Sequence, residues 1–355
     1  MVTDSLDVND DRGSMATRRL AADAAGIAEA GALLRAGGLV AIPTETVYGL
    51  GADAGDPKAV AAIYAAKERP RFNPLIAHLP DLAAARREGA FGPDALALAQ
   101  AFWPGPLTLV VPAAAGGRVC DLARAGLPSV ALRVPGSALA RAVLAAAGCP
   151  VAAPSANRSG RVSPTEAAHV LGDLDGRIAA ILDGGACPVG VESTIVACLD
   201  GPPVLLRPGG VPRASIEAVL GRPLALPSAP AGSAPVSPGL LASHYAPRAA
   251  MRLDATEILS GEAALLFGPA APDGLDRALL SLNLSPAGDL AEAASHLFGY
   301  LRRLDAAGPA VIAVAPIPAD GLGEAIRDRL GRADGALKNS HRPRNRSPGR
   351  RVEGV

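Results

Sequence analysis

Aromatic side chains are scarce in this chain: five Phe, four Tyr and one Trp, 3% of 355 residues. Ring stacking cannot carry the core, so alanine, leucine and valine must fill it, within a hydrophobic content of 49%. Cysteine is nearly as rare. Cys120, Cys149, Cys187 and Cys198 show neither CxxC spacing nor the density of a disulfide scaffold, which argues against a zinc site and fits a reducing compartment. They read as small buried hydrophobes. Net charge is absent too: 34 Lys plus Arg balance 34 Asp plus Glu. No global field therefore draws the chain to nucleic acid or a membrane surface, although a local basic cleft is still open to it. No apolar run approaches the ~18 residues of a membrane span. The opening Met-Val-Thr-Asp places an acidic residue before any apolar stretch, unlike a secretory leader, so a cytoplasmic location is expected. The five histidines fall in no HExxH or other metal pattern, and no protein-bound metal is expected. There is no G-x-S-x-G elbow for a Ser-His-Asp hydrolase.

Two glycine-rich patterns begin and then fail. Gly49-Leu50-Gly51-Ala52-Asp53-Ala54 fits a loose G-x-G-x-x-A fingerprint, but that motif must join a strand directly to the helix that receives a pyrophosphate. Here the next helix starts only at Pro57. Gly185-Ala186-Cys187-Pro188-Val189-Gly190 opens like a P-loop, yet Val191 and Glu192 stand where Lys and Ser/Thr are required. A bound nucleotide would have to be held by side chains.

Helix and strand signals alternate through the first 220 residues, the pattern of an α/β domain. An alanine-rich helix is expected over 21–36, ending at Gly37-Gly38. Asp56-Pro57 is an N-cap with proline at the first helical position, opening a helix to about Ala66. Another helix pattern follows Pro93. Strands are expected over 39–42, 74–79, 107–111, 130–134, 178–182, 194–199 and 204–207. Ser163-Pro164-Thr165-Glu166 reads as a capping box that starts a further helix. Pro223, Pro227, Pro230, Pro235 and Pro238 then mark a semi-rigid linker over 221–247. Beyond it, strands at 263–267 and 311–314 and helices at 289–304 and 321–330 suggest a small Rossmann-like α/β unit. The expected division is a flexible N-terminus (1–18), a catalytic domain (19–220), the linker (221–247), a small C-terminal domain (248–335) and a disordered basic tail (336–355) that could contact RNA weakly.

What stands out is a pairing. Lys67 and Arg69, one residue apart, close the helix after Pro57, and Pro154-Ser155-Ala156-Asn157 follows an apolar strand. A K-x-R beside an S-x-N gathers fixed cations and short hydrogen-bonding groups, enough to hold a triphosphate and an anionic co-substrate. Alone, Lys67 and Arg69 read as a solvated helix end, where cations favour the dipole and removal costs within about ±0.5 kcal/mol. Arg71 and Asn73, stiffened by Pro70 and Pro74, alter that balance. So do Arg133 and Arg207, each ending an apolar strand, where a charge needs an anionic partner. Arginines at strand ends point into the crevice where α/β domains bind ligands. His78 on its own reads as a core histidine, and Ser155, Asn157, Ser163 and Ser193 as turn formers.

Five longer phrases hold these residues: 38–51, opening Gly38-Leu39-Val40 and containing Pro43-Thr44-Glu45-Thr46-Val47-Tyr48-Gly49; Lys67-Glu68-Arg69-Pro70-Arg71-Phe72-Asn73-Pro74-Leu75; Trp103-Pro104-Gly105-Pro106-Leu107-Thr108; Ala153-Pro154-Ser155-Ala156-Asn157; and Val191-Glu192-Ser193-Thr194-Ile195. In this order, from Gly38 to Arg207, the chain resembles the YrdC-type L-threonylcarbamoyladenylate synthases. His244-Tyr245-Ala246-Pro247 and the segment C-terminal to it resemble the family's long two-domain form. The resemblance implies a twisted mixed-sheet catalytic domain with a smaller Rossmann-like α/β domain. It implies that L-threonine, bicarbonate and ATP, with Mg²⁺, become threonylcarbamoyl-AMP, pyrophosphate and water. The product would pass to separate transfer proteins for the t6A modification of ANN-decoding tRNAs. By the same resemblance Thr46, His78, Arg133 and Ser193, with the backbone at Ala153, surround threonine. Arg69, Asn73, Ser129, Ser155, Ser163 and Arg207 contact ATP. Lys67 and Asn157 complete the catalytic set with Arg69 and Ser155, against the phosphates and bicarbonate. Tyr245 folds over the nucleotide as a lid.

Two other readings compete. A double-stranded RNA-binding module could use the same cationic surface to grip phosphates by shape; zero net charge and the threonine set weigh against it. The carbamoyl transferases of hydrogenase maturation carry a similar domain, but in much longer chains with paired CxxC fingers.

Overall fold

The computed structural model describes residues 16–70, 73–225 and 245–340. Short apolar runs build a ten-stranded sheet. Its strands are β1 (Arg18–Ala21), β2 (Val40–Pro43), β3 (Tyr48–Asp53), β4 (Ile76–His78), β5 (Leu107–Pro112), β6 (Ser129–Arg133), β7 (Val151–Ala152), β8 (Ala180–Asp183), β9 (Thr194–Ala197) and β10 (Val204–Arg207). Their order is β1-β8-β2-β3-β7-β4-β6-β5-β9-β10. Pairing is mixed, as expected: β4–β6 and β5–β9 are parallel, whereas β2–β3, β5–β6 and β9–β10 are antiparallel. Strands β2 and β6 are buried on both faces, so they read as continuous apolar runs rather than alternating ones.

Helices α1 (Ala24–Arg35), α2 (Pro57–Lys67), α3 (Leu82–Glu88), α4 (Pro93–Phe102), α5 (Asp121–Arg124), α6 (Ala138–Ala147), α7 (Ala167–Leu174) and α8 (Arg213–Leu220) pack around the sheet. On one face Ala30 and Leu34 of α1 and Val143 and Leu144 of α6 cover Val40 and Ile42. On the other, Val60 and Ile63 of α2, Leu98 of α4 and Val170 of α7 join Ala41 and Leu50. Alanines 30, 59, 95, 140 and 147, all buried, let helices and sheet approach closely, which is how a core poor in rings still closes.

The second sheet holds β11 (Ala250–Arg252), β12 (Ala263–Leu266), β13 (Ser281–Asn283) and β14 (Val311–Val314), in the order β11-β14-β12-β13. All its pairs are parallel, and parallel neighbours need long crossovers. Helix α9 (Leu290–Ala306) carries the chain from β13 across β12 to β14, and α10 (Gly323–Ser340) follows. The two units pack directly together: Val47, Val162 and Val191 of the first join Leu297 and Phe298 of α9 in one cluster. At Gly190, in the left-handed region (φ 74), an added Cβ would lie 2.2 Å from Ala294 O, so only glycine allows this approach. Arg213 pairs with Glu324 across the same boundary. No helix among the described residues is long and apolar enough to cross a membrane.

Several local expectations change. Residues 48–53 form a strand, β3, antiparallel to β2, where no strand was expected. The chain already pairs at Arg18, in β1. The capping box is not used: α7 begins at Ala167 without a side-chain cap, because the Ser163 hydroxyl is turned inward onto Glu192. Helix α10 runs to Ser340, into the segment expected as tail; residues 341–355 and most of the linker, 226–244, lie outside the described residues, as does Arg71.

Candidate active site

Parallel register places His78, ending β4, beside Arg133, ending β6. Both are buried. The β2–β3 turn delivers Thr46, whose Oγ1 accepts from Arg133 Nη1 at 3.0 Å, while Arg133 Nη2 donates to Glu45. Burial works to raise the Glu45 carboxyl, but the Arg133 guanidinium and backbone N–H groups together hold it below its ordinary value. His78 Nδ1 lies 3.1 Å from Ile76 O. A carbonyl only accepts, so Nδ1 carries the hydrogen and Nε2 is left as an acceptor. Burial, helped by Arg133, pushes the imidazole down to about 3, so the ring is neutral at neutral pH.

Strands β9 and β10 supply another wall. Arg207, closing β10, donates through Nη2 to Ser193 O at 2.8 Å and Ser193 Oγ at 3.2 Å. Ser193 Oγ is also 2.8 Å from Thr108 Oγ1. The chain doubles back closely here: a Cβ on Gly209 would sit 2.4 Å from Glu192 O and from Ser193 C. Glu192 stands between the units. Its Oε1 accepts from Ser163 Oγ at 2.6 Å and its Oε2 from Arg329 Nε at 2.7 Å. Burial alone would raise this carboxyl, yet Arg329 and Arg207 bring it down to about 2.

The cationic pair is arranged differently from a solvated helix end. Glu68 closes α2 in the left-handed region (φ 53) and points out to Arg158 and Arg177, so Lys67 and Arg69 on either side turn inward. Lys67 is 1% exposed, and its Nζ donates to the backbone carbonyls of Ser155 and Asn157. The K-x-R and S-x-N do meet, through the backbone of the loop. Burial, with Arg69 adding to it, pushes the Lys67 ammonium well below its ordinary value. Arg69 is buried, donates to Pro74 O at 3.3 Å and has an Nε without a partner among the described residues; burial brings it down to about 10.

Thr46, Arg69, His78, Arg133, Ala153, Ser155, Ser193, Arg207 and Tyr245 line one cavity of about 500 Å³ of empty space, its mouth included. Tyr245 is 1% exposed and stacks on Phe298 of α9, ring centroids 5.6 Å apart, so it forms part of the wall rather than an outlying lid. Other expected site residues stand off the cavity. Lys67 and Asn157 lie behind it, the Asn157 amide donating to Arg158 O and Arg161 O. Ser163 reaches it only through Glu192. Asn73 is buried with neither side-chain polar atom paired among the described residues. Ser129 begins β6 while Arg133 ends it, roughly 13 Å away at strand rise, so the geometry does not bring Ser129 to the pocket. Val47, Ile76, Pro154 and Glu192 complete the wall and were not singled out from the sequence. For Glu192 the signal was there: a lone carboxylate next to Val191 in an apolar phrase needs a cation.

Residues 32–209 match the family model of the Sua5, YciO and YrdC proteins, described as "Telomere recombination", and residues 211–335 match that of the threonylcarbamoyl-AMP synthase C-terminal domain. The chain is 47% identical over 257 residues to the threonylcarbamoyl-AMP synthase of Bacillus subtilis, covering 71% of this chain and 69% of that protein. It is 39% identical over 324 residues to that of Pyrococcus abyssi, covering 86% and 93%. The crystal structure of P. abyssi Sua5 complexed with L-threonine superposes with a TM-score of 0.80 at 35% identity, over 90% of this chain and 98% of that one.

Proposed function

This chain belongs to the Sua5/YrdC family of threonylcarbamoyl-AMP synthases in its long two-domain form, and from that premise we propose that the cavity joins L-threonine, bicarbonate and ATP. The observation that carries this reading is the cavity itself. It combines a neutral histidine acceptor, fixed hydroxyls and three buried arginines, Arg69, Arg133 and Arg207, in one pocket. Threonine sits against the ends of β4 and β6. Its carboxylate faces Arg133, and Thr46, Ser193, His78 Nε2 and the Ala153 backbone meet its polar groups. The triphosphate lies toward Arg69, Ser155 and Arg207, with Tyr245 against the nucleotide. Arginine's fork suits carboxylate and phosphate alike.

The unprotonated threonine amine attacks the carbon of bicarbonate. A C–N bond forms, water leaves and an N-carboxylate results. Its oxygen attacks the α-phosphorus in line, the bond to the β-phosphate breaks, and pyrophosphate departs. The chain's residues orient and neutralise the reactants rather than bond to them. Mg²⁺ enters with ATP as part of that substrate. Enclosure protects the mixed anhydride from water. The product then leaves for separate transfer proteins that place it on ANN-decoding tRNAs, in the cytoplasm. An RNA-gripping surface is disfavoured because these cations are buried, where a duplex cannot reach them. Incubation with ATP, bicarbonate and labelled threonine, followed by chromatography, tests the reading. A labelled adenylate that needs all three supports it, and its absence overturns it.

A further inference from the structure

Arg329 is the largest fully buried side chain among the described residues, and it comes from α10 of the C-terminal unit, not from the sheet that bears the cavity. Its Nε donates to Glu192 Oε2 at 2.7 Å and its Nη1 to Asp328 Oδ2 at 2.6 Å. Its guanidinium carbon lies 5.4 Å from the centre of the Tyr245 ring. Glu192 and Tyr245 both line the cavity, next to Arg207. An arginine buried this deeply is costly unless its charge and its hydrogen bonds are met. Here Glu192 and Asp328 meet the charge and take Nε and Nη1, the tyrosine face adds a cation–π contact, and Nη2 has no hydrogen-bond partner among the described residues.

We propose that Arg329 is a positioning residue through which the C-terminal domain completes the active site, holding the Glu192 carboxylate and the Tyr245 ring on the ATP side of the cavity. On the threonine side Thr46, His78 and Arg133 come from the β2–β3 turn, β4 and β6, and their hydrogen bonds do not involve α10. Arg329 therefore acts first on the nucleotide side, and the threonine side meets α10 only indirectly, through Ser193 beside Glu192 and Val47 beside Thr46. The inference rests on the reaction proposed above. It also accounts for how Glu192 is held: one oxygen accepts from Ser163 and the other from Arg329.

The experiment uses the full-length chain with Arg329→Met, Arg329→Lys, Glu192→Gln and the double Arg329→Met/Glu192→Gln. Affinity for threonine without ATP is measured by calorimetry, and KM for ATP by pyrophosphate release. Arg329→Met should raise KM for ATP on the order of tenfold, as expected for a misplaced wall, while threonine affinity stays within about twofold. Arg329→Lys keeps the charge but not the fork and should fall between. The double variant removes the unpaired buried carboxylate, so it should melt higher than Arg329→Met while keeping the raised KM for ATP. It thereby preserves the test if the single variant folds poorly. An unchanged KM for ATP in folded Arg329→Met or in the double variant overturns the proposal. So does an equal loss of threonine and ATP binding, which would make the role merely structural. If the wild-type chain makes no adenylate at all, the failure belongs to the proposed reaction. Calorimetry of ATP binding to the same variants still decides the role of Arg329.

Discussion

Replacing Lys67 with methionine keeps an unbranched side chain in place and removes the ammonium that joins α2 to the Ser155–Asn157 loop. Two backbone carbonyls lose their donor, and a buried acceptor left unpaired costs about 1–3 kcal/mol. Part of this is returned, because the ammonium's own burial is unfavourable, as its lowered pKa records. The net loss should be about 1–3 kcal/mol, or roughly 3–10 °C in Tm for a unit of this size. Lys67→Ala adds a cavity and should melt lower still. Activity should fall by about 10² or more, since the loop carries Ser155 on the cavity wall and small displacements of positioning groups are expensive. Thermal unfolding by circular dichroism alongside pyrophosphate release reads both effects. A methionine variant that melts within about 1 °C of wild type yet is inactive would refute the reasoning, placing the ammonium on substrate rather than on the loop.

Gly209→Ala should abolish activity and lower Tm, because its Cβ would lie 2.4 Å from the Glu192 and Ser193 backbone, which cannot yield without moving the wall; normal turnover would count against that close approach. His78, lowered to about 3 from 6.5, binds a proton in the unfolded state before the folded one. Its contribution is therefore present above pH 6.5 and is lost as pH falls toward 3. His78→Gln should flatten the fall of Tm with pH across that window, and an unchanged slope would show that other groups set it. Gly190→Ala should push α9 away from the larger unit, exposing the cluster around Phe298; greater dye binding and a weaker ATP interaction are the expected readouts.

Much of the larger domain could be read from pattern because β2, β5, β6 and β9 are apolar runs bounded by Gly, Pro and Asp, and Asp56-Pro57 caps α2 as its residues imply. Arg133 and Arg207 were legible as strand-end cations. Burial of Lys67 was not, since it depends on Glu68 taking a left-handed conformation that its sequence position does not demand. Ser163 misled for a related reason: the same four residues suit a helix cap and a bond to Glu192, and only a partner 29 positions away decides between them. Arg329 carried no local signal. It lies in an ordinary charged helix, and its importance comes from the packing of one unit on the other.

The most direct test of the account is pyrophosphate release from ATP by the purified chain as threonine and bicarbonate are withheld in turn. Release that requires both, with one labelled threonylcarbamoyl-AMP formed per pyrophosphate, is the predicted result. Pyrophosphate released at the same rate without threonine or without bicarbonate would contradict the assignment of the cavity.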